Sequence, residues 1–459
     1  MLFRASAIIM IAFLDKKDYN SSSEHLMDER SLFMKLYPEM TKEELERELS
    51  SVRQEYDEFK QNGLKLDMSR GKPNPVQLDL SMGILAQDPS ELIITKKGTD
   101  VRNYGELAGV DECKQLFADF LGLEQKNIIM GGQSSLSLMY DCVVRALLLG
   151  VYGGSKPWGQ QGEIKFLCPV PGYDRHFAIC EEFGIRMINI PMTEHGPDMD
   201  MVRSYVESDA SVKGIWCVPK YSNPTGITYS DDTVRAFASL HPAADDFRIF
   251  WDNAYLVHTF ASEDDHLLNV FDVCAEYGTE DMVYEFVSTS KVTFSGAGVA
   301  VLAASENNIR FLLKQMSVQT LGYDKINQLR HVKFFKNVEG LRKHMKKHAQ
   351  ILVPKFNTVL ENLSRELGSR GIGIWNKPKG GYFIAFDGLN GTAKRTVTLC
   401  SEAGLTLTPA GAPYPYGIDP NDRTIRLAPS YPDMPSLAAA MQLFCLAERI
   451  ASLEVLLTR

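Results

Sequence analysis

Apolar residues recur at helical spacing at Leu45, Leu49, Val52, Tyr56 and Phe59, with polar positions between them. That spacing predicts an amphipathic helix with one buried stripe. Thr41-Lys42-Glu43-Glu44 marks its start, because the hydroxyl and the carboxylate can each satisfy a free backbone N–H, and Gly63 supplies a stop. Residues 65–81 lose the period and read as extended, turn-rich chain around Gly71-Lys72-Pro73 and Pro75.

From 85 to 305 short apolar runs alternate with helical stretches. Strands are predicted at 128–130, 164–168, 187–190, 214–218, 249–251 and 283–287, and helices at 113–121, 134–149, 177–183, 199–206 and 231–239. This alternation predicts crossover connections and a mostly parallel sheet covered on both faces, an α/β architecture. Such sheets bind ligands at the carboxyl ends of their strands. After Glu306 helix dominates, at 309–316, 324–346 and 353–367, and the remaining chain mixes helix with short strands at 381–386 and 424–427. The expected organisation is a leader at 1–33, a helix and arm at 34–84, a large domain at 85–330 and a smaller α/β domain at 331–459, which the helix and arm join.

The leader is apolar from Leu2 to Leu14 but falls short of the about 20 residues that span a bilayer, and no A-x-A-like cleavage site follows it. The folded part is expected to begin near Met34, and no membrane segment is expected beyond it. Charge adds an exclusion: 49 basic against 58 acidic residues give −9, with no basic stripe to neutralise nucleic-acid phosphates. Anionic substrates must then be met by a few local Arg or Lys residues. Eight scattered cysteines form no C-x-x-C pair, which points to buried free thiols in a reducing, cytoplasmic compartment rather than to a metal site or disulfide framework.

Candidate chemistry gathers where predicted strands end. Ser288-Thr289-Ser290-Lys291 follows the 283–287 strand and precedes the small residues Ser295-Gly296-Ala297-Gly298. A partly desolvated amine there can attack a carbonyl, with hydroxyls ready for a neighbouring phosphate. Alone, Lys291 would more simply be a surface-loop lysine. Asp252 ends another strand and can pair with a pyridinium nitrogen, with Tyr255 three residues on, although a strand-end Asp is as often a helix cap. Ser222-Asn223-Pro224-Thr225-Gly226 closes a third strand, where the Asn amide can donate to a phenolate oxygen. Gly131-Gly132-Gln133-Ser134-Ser135 offers helix-start N–H groups to a phosphate, or is a plain N-cap. Pro171-Gly172-Tyr173 can lay an aromatic face on a ring, or pack in the core.

The order Asn103-Tyr104-Gly105, G-G-x-S-S, P-G-Y, S-N-P-T-G, D-x-x-Y, S-x-S-K and a late Arg resembles the fold-type-I pyridoxal-phosphate aminotransferases, from about Thr41 to the C-terminus. Ser69-Arg70-Gly71-Lys72-Pro73, Ser134-Ser135 and Arg426-Leu427-Ala428-Pro429-Ser430 are similar to the type Ic aspartate aminotransferases within that family. The resemblance implies a large domain with a seven-stranded, mostly parallel sheet sandwiched by helices, beside a smaller α/β domain. It implies pyridoxal 5'-phosphate as cofactor and Lys291 as the Schiff-base lysine and proton shuttle. Asp252 would hold the pyridine nitrogen, Asn223 and Tyr255 the ring oxygen, and Tyr173 the ring face. Gly132, Gln133, Ser134, Ser288 and Ser290 would surround the phosphate. Tyr104 would reach the phosphate of a neighbouring subunit, which implies a homodimer. Arg426 would clamp the substrate α-carboxylate with Asn223 and Gly71 nearby, and Arg70 would read the side-chain carboxylate. One departure stands out: many relatives carry Arg eight residues after the lysine, where this chain has Val299.

The expected reaction is a ping-pong transamination between an acidic amino acid, aspartate, and 2-oxoglutarate, with Lys291 as general base and then acid. A β-lyase or decarboxylase on the same scaffold is the alternative enzyme, since fold does not fix reaction. The sensor domain of a transcription regulator is the non-enzyme alternative. It would require a DNA-binding domain, for which the 33 or so residues before Met34 are too few and not basic.

Overall fold

Thr41 opens the first helix as its sequence predicts. In the computed structural model, which describes residues 35–261 and 264–459, helix α1 spans Lys42–Lys60. The Thr41 N–H donates to Glu44 Oε2 at 2.7 Å, and the Glu44 N–H donates to Thr41 Oγ1 at 3.3 Å. Leu45, Val52 and Tyr56 form its buried stripe. The expected leader and the start near Met34 lie outside the described residues.

The arm after α1 contributes strand β1 (Leu66–Asp67) and the short helix α2 (Pro75–Asp79). Then come α3 (Asp111–Leu121), β2 (Ile128–Met130), α4 (Ser135–Leu149), β3 (Lys165–Val170) and α5 (Asp174–Glu182). They are followed by β4 (Arg186–Thr193), β5 (Gly196–Pro197), α6 (Met199–Ser208), β6 (Val212–Cys217) and α7 (Asp231–Ala238). The series closes with β7 (Arg248–Asp252), α8 (Val270–Tyr277), β8 (Val283–Ser288) and β9 (Ala300–Ala304).

These strands make one sheet in the order β2-β9-β8-β7-β6-β3-β4-β5. Strands β8, β7, β6, β3 and β4 run parallel, whereas β9 opposes both β2 and β8. The sheet has eight strands where seven were expected. The extra one is β5, a two-residue return against β4 whose Gly-Pro sequence carries no apolar run to announce it. Every residue of β6 and β7 is buried, as a sheet covered on both faces requires. Leu167, Ile215 and Ile249 face one side layer, and Phe166, Trp216 and Phe250 face the other.

Beyond the sheet run α9 (Glu306–Gln319), α10 (Lys325–Phe335) and α11 (Val338–Leu367). The expected break at 347–352 does not occur; α11 runs through it and through Pro354, and the break falls at Lys336 (φ 66°) instead. Asn337 explains the position, because its side chain accepts the Gly340 N–H at 2.9 Å and starts a new helix there. Gly340 is needed in that corner, since a Cβ would come 1.8 Å from the Phe335 carbonyl oxygen.

The rest of the chain forms β10 (Gly373–Trp375), β11 (Ile384–Gly388), α12 (Ala393–Glu402), β12 (Leu405–Thr406), β13 (Thr424–Leu427) and α13 (Met434–Leu457). Strands β10, β11 and β13 make a three-stranded antiparallel sheet, and β12 pairs with β1 of the arm. Val52 and Tyr56 of α1 share a core with Val359 and Leu363 of α11, Phe386 of β11 and Phe444 of α13, so the N-terminal helix packs with the C-terminal part. All eight cysteines are free and buried. No described helix is long and apolar enough to cross a membrane.

Candidate active site

Four neighbouring parallel strands, β8, β7, β6 and β3, deliver their carboxyl ends to one edge of the sheet. A cleft opens there, lined by Ser134, Tyr173, Asn223, Asp252, Tyr255 and Lys291, together with Ser288 and Ser290. Residues up to 157 positions apart in sequence therefore meet because each follows a strand of the same sheet.

Asp252 is the anchor. It is 3% exposed, and its Oδ2 lies 3.0 Å from Nε2 of His176. The His176 ring is stacked on Trp216 at 4.4 Å and 11°, which fixes its plane. The other oxygen, Oδ1, is buried and has no hydrogen-bond partner. An unpaired buried acceptor costs about 1–3 kcal/mol, so this oxygen marks a place where a donor from a bound group belongs. A ring N–H of pyridoxal phosphate fits that requirement.

Lys291 is half-buried, with its amine 5.0 Å from the Tyr255 ring centroid. Burial pulls its pKa below the ordinary lysine value, the Asp252 carboxylate opposes this, and the Arg426 cation adds to it. Burial, then the Asp252 charge, pushes the Tyr173 phenol up to about 12. Burial likewise raises Tyr255 well above its usual range, so both act as neutral hydroxyls near pH 7.

The backbone of Lys291 is held from behind by a network that the sequence did not announce. Tyr382 Oη donates to the Lys291 carbonyl at 3.4 Å and accepts from Gln77 Nε2 at 3.0 Å. His344 Nε2 donates to the Val292 carbonyl at 2.8 Å and lies 3.1 Å from His348 Nε2. His348 Nδ1 in turn is 3.2 Å from Gln77 Nε2. Burial takes His348, and His258 beside Tyr382, down to about 3, so these imidazoles are neutral near pH 7. The only trace in the sequence is the i, i+4 pair His344 and His348 on one helix face.

Arg426 projects from β13, 6% exposed, with its guanidinium 4.9 Å from the Phe383 ring. Its Nη1 donates to Asp174 Oδ1 at 2.8 Å and to Asn223 Oδ1 at 3.3 Å, while Nε is buried without a partner. Gly71 is part of this wall, because a Cβ there would come 2.4 Å from Phe383. Neither Asp174 nor His176 was a sequence candidate. Both lie in the helical turn after Pro171-Gly172-Tyr173, and P-G-Y-x-x-H at turn spacing was the available signal.

Other expected residues sit less simply. Ser134 caps α4, its Oγ accepting the Leu136 N–H at 3.2 Å. The Gln133 side chain is exposed, and its carbonyl accepts the Ser290 hydroxyl at 2.6 Å, so Ser290 spends its proton tying the lysine turn to this loop. The Gly132 carbonyl accepts the Ala300 N–H at 2.7 Å. Arg70 is exposed, and its side chain makes no hydrogen bond or ion pair among the described residues. Tyr104 is 79% exposed and does not line the cleft of its own chain. At Val299 both backbone polar groups are engaged by Thr289, and the side chain is buried.

The family model described as aspartate amino-transferase matches residues 40–459. A protein of Mycolicibacterium smegmatis is 46% identical over 404 residues, 88% of this chain and 94% of the relative. An aspartate aminotransferase of Corynebacterium glutamicum is 42% identical over 390 residues, covering 85% of this chain and 90% of the relative. The crystal structure of an aspartate transaminase from Corynebacterium glutamicum superposes with a TM-score of 0.90 at 40% identity, covering 92% of this chain and 99% of that one. The chain belongs to the aspartate aminotransferase family, whose members are fold-type-I aminotransferases dependent on pyridoxal phosphate.

Proposed function

We propose that this aminotransferase moves the amino group of aspartate to 2-oxoglutarate, giving oxaloacetate and glutamate in two half-reactions at one cleft. One observation carries the reading: an open carboxylate oxygen on Asp252, a lysine amine with lowered pKa and a buried arginine surround the same space. Pyridoxal phosphate, when bound, supplies an electron sink that weakens the substrate Cα–H bond.

The chain's own groups do the rest. Asp252, oriented by His176, would hold the ring nitrogen; Asn223 and Tyr255 would take the ring oxygen, and Tyr173 would cover the ring face. Gly132, Gln133, Ser134, Ser288 and Ser290 would surround the phosphate, aided by the start of α4. Arg426 grips the substrate α-carboxylate with two parallel N–H donors, which orients the Cα proton toward Lys291. The Lys291 amine, whose pKa burial pulls below the ordinary lysine value, would take that proton and return it one position away. Arg70 reads the side-chain carboxylate, with Gly71 leaving room for it.

The same reading has residues 85–330 carry the cofactor and 331–459, with 34–84, close over the substrate. It has a homodimer in which Tyr104 serves the phosphate of the neighbouring subunit, and a cytoplasmic enzyme, in keeping with eight free buried thiols. The test is a product assay with aspartate and 2-oxoglutarate. Stoichiometric glutamate and oxaloacetate are expected; pyruvate or ammonia without glutamate would instead mark a lyase.

A further inference from the structure

The arginine assigned to the substrate carboxylate already has a carboxylate on it. Asp174 Oδ1 lies 2.8 Å from Nη1 of Arg426, and the guanidinium is only 7% exposed whereas the Asp174 side chain is 32% exposed. The two groups are 252 positions apart. Asp174 opens α5, which follows β3, and Arg426 comes from β13 of the three-stranded sheet, so the pair joins elements of the two sheets.

The two ends of this ion pair are built differently. Arg426 is held by its strand, by the Phe383 ring and by Asn223 Oδ1 at 3.3 Å. The Asp174 side chain makes no other hydrogen bond among the described residues. Asp174 is the first residue of α5, whose N-cap, Tyr173, gives no side-chain cap, and its side chain is about one-third exposed. The anion reaches solvent; the buried cation does not.

We propose that Asp174 is a displaceable internal ligand of Arg426, which occupies the carboxylate subsite when substrate is absent and gives it up when the substrate α-carboxylate arrives. The inference rests on the reading of Arg426 as the carboxylate clamp. Its consequence is quantitative, since a substrate competes with Asp174 for the same donors and the apparent affinity is divided by the fraction of sites left open. Asp174 also keeps the buried guanidinium from standing uncompensated between turnovers, and it speeds release of a dicarboxylate product by retaking the arginine. The pair is open to solvent on the Asp174 side, so the competition is modest, on the order of three- to tenfold.

A purely structural partner has the opposite signature. If Asp174 served to orient Arg426, removing its charge would weaken carboxylate binding. The experiment is calorimetric titration of the cofactor-loaded enzyme with succinate, a four-carbon dicarboxylate without an amino group, in the native protein, Asp174→Asn and Arg426→Lys. The expected result is a succinate Kd about three- to tenfold lower in Asp174→Asn, and a much weaker Kd in Arg426→Lys. An unchanged or raised Kd in Asp174→Asn, with Arg426→Lys still impaired, overturns the displaceable ligand and leaves the clamp standing. Native affinity in Arg426→Lys overturns the clamp, and the inference falls with it. Circular dichroism and cofactor absorbance of each variant separate lost binding from lost folding.

Discussion

A single unpaired oxygen, Oδ1 of Asp252, shows how the site is prepared for a ligand at the level of one residue. The carboxylate is buried, and His176 satisfies only Oδ2, so the free oxygen keeps its full demand for a donor. Asp252→Asn therefore removes the charge that keeps a ring nitrogen protonated while leaving the shape intact. Its kcat/KM for transamination should fall by about 10²–10³, the scale of losing one preorganised electrostatic contact. Circular dichroism should stay native. A loss below about tenfold, with cofactor still bound, would contradict the assigned role.

Elements explain which residues could be found from sequence. The lysine, the aspartate and the asparagine stand at the ends of buried parallel strands, and buried strands leave unbroken apolar runs that locate their ends. Strand β9 was missed because Ala300–Ala304 follows the glycine-rich turn after Lys291 and carries no bulky β-branched run of its own beyond Val301. Helix α13 is buried on nearly every side, so it has no polar stripe to give its period away. Asp174 and His176 escaped notice for another reason: their partners Arg426 and Asp252 are 252 and 76 positions distant, which local pattern does not encode. Arg70 is a motif residue whose side chain finds no hydrogen-bond or ion-pair partner among the described residues, so motif and contact diverge there. At the α10–α11 corner the account is specific: a Cβ on Gly340 would meet the Phe335 carbonyl at 1.8 Å. Gly340→Ala should lower stability by about 1–3 kcal/mol, visible as a drop in Tm with an unchanged kcat; a native Tm would show that the corner relaxes freely.

Across the whole molecule, buried ionisable groups set opposite limits on stability with pH. Burial raises the Glu285 carboxyl to about 7, against an ordinary value near 4.5, with only Asn253 Nδ2 at 2.8 Å to offset it. That carboxyl therefore contributes stability below about pH 4.5 and loses it as pH rises through about 7. His258 and His348, depressed to about 3, act in the other direction, contributing above about 6.5 and losing it as pH falls toward 3. The Glu285→Gln variant should flatten the decline in unfolding free energy between pH 5 and 8 by roughly 3 kcal/mol. A decline as steep as that of the native protein would place its cause elsewhere. The proposed dimer makes a second whole-molecule prediction. If Tyr104 serves the neighbouring site, mixed refolding of Tyr104→Ala with Lys291→Ala should restore about a quarter of native activity, because half the dimers are mixed and each holds one intact site. Tyr104 acting within its own subunit would leave mixed dimers no better than the Tyr104 variant alone.

The central claim is that one amine, at residue 291, holds the cofactor. Borohydride reduction of the cofactor-loaded enzyme, followed by peptide mass spectrometry, tests it directly. The account predicts a phosphopyridoxyl adduct on Lys291 and on no other lysine; an adduct on a different residue, or none after reduction, would contradict it.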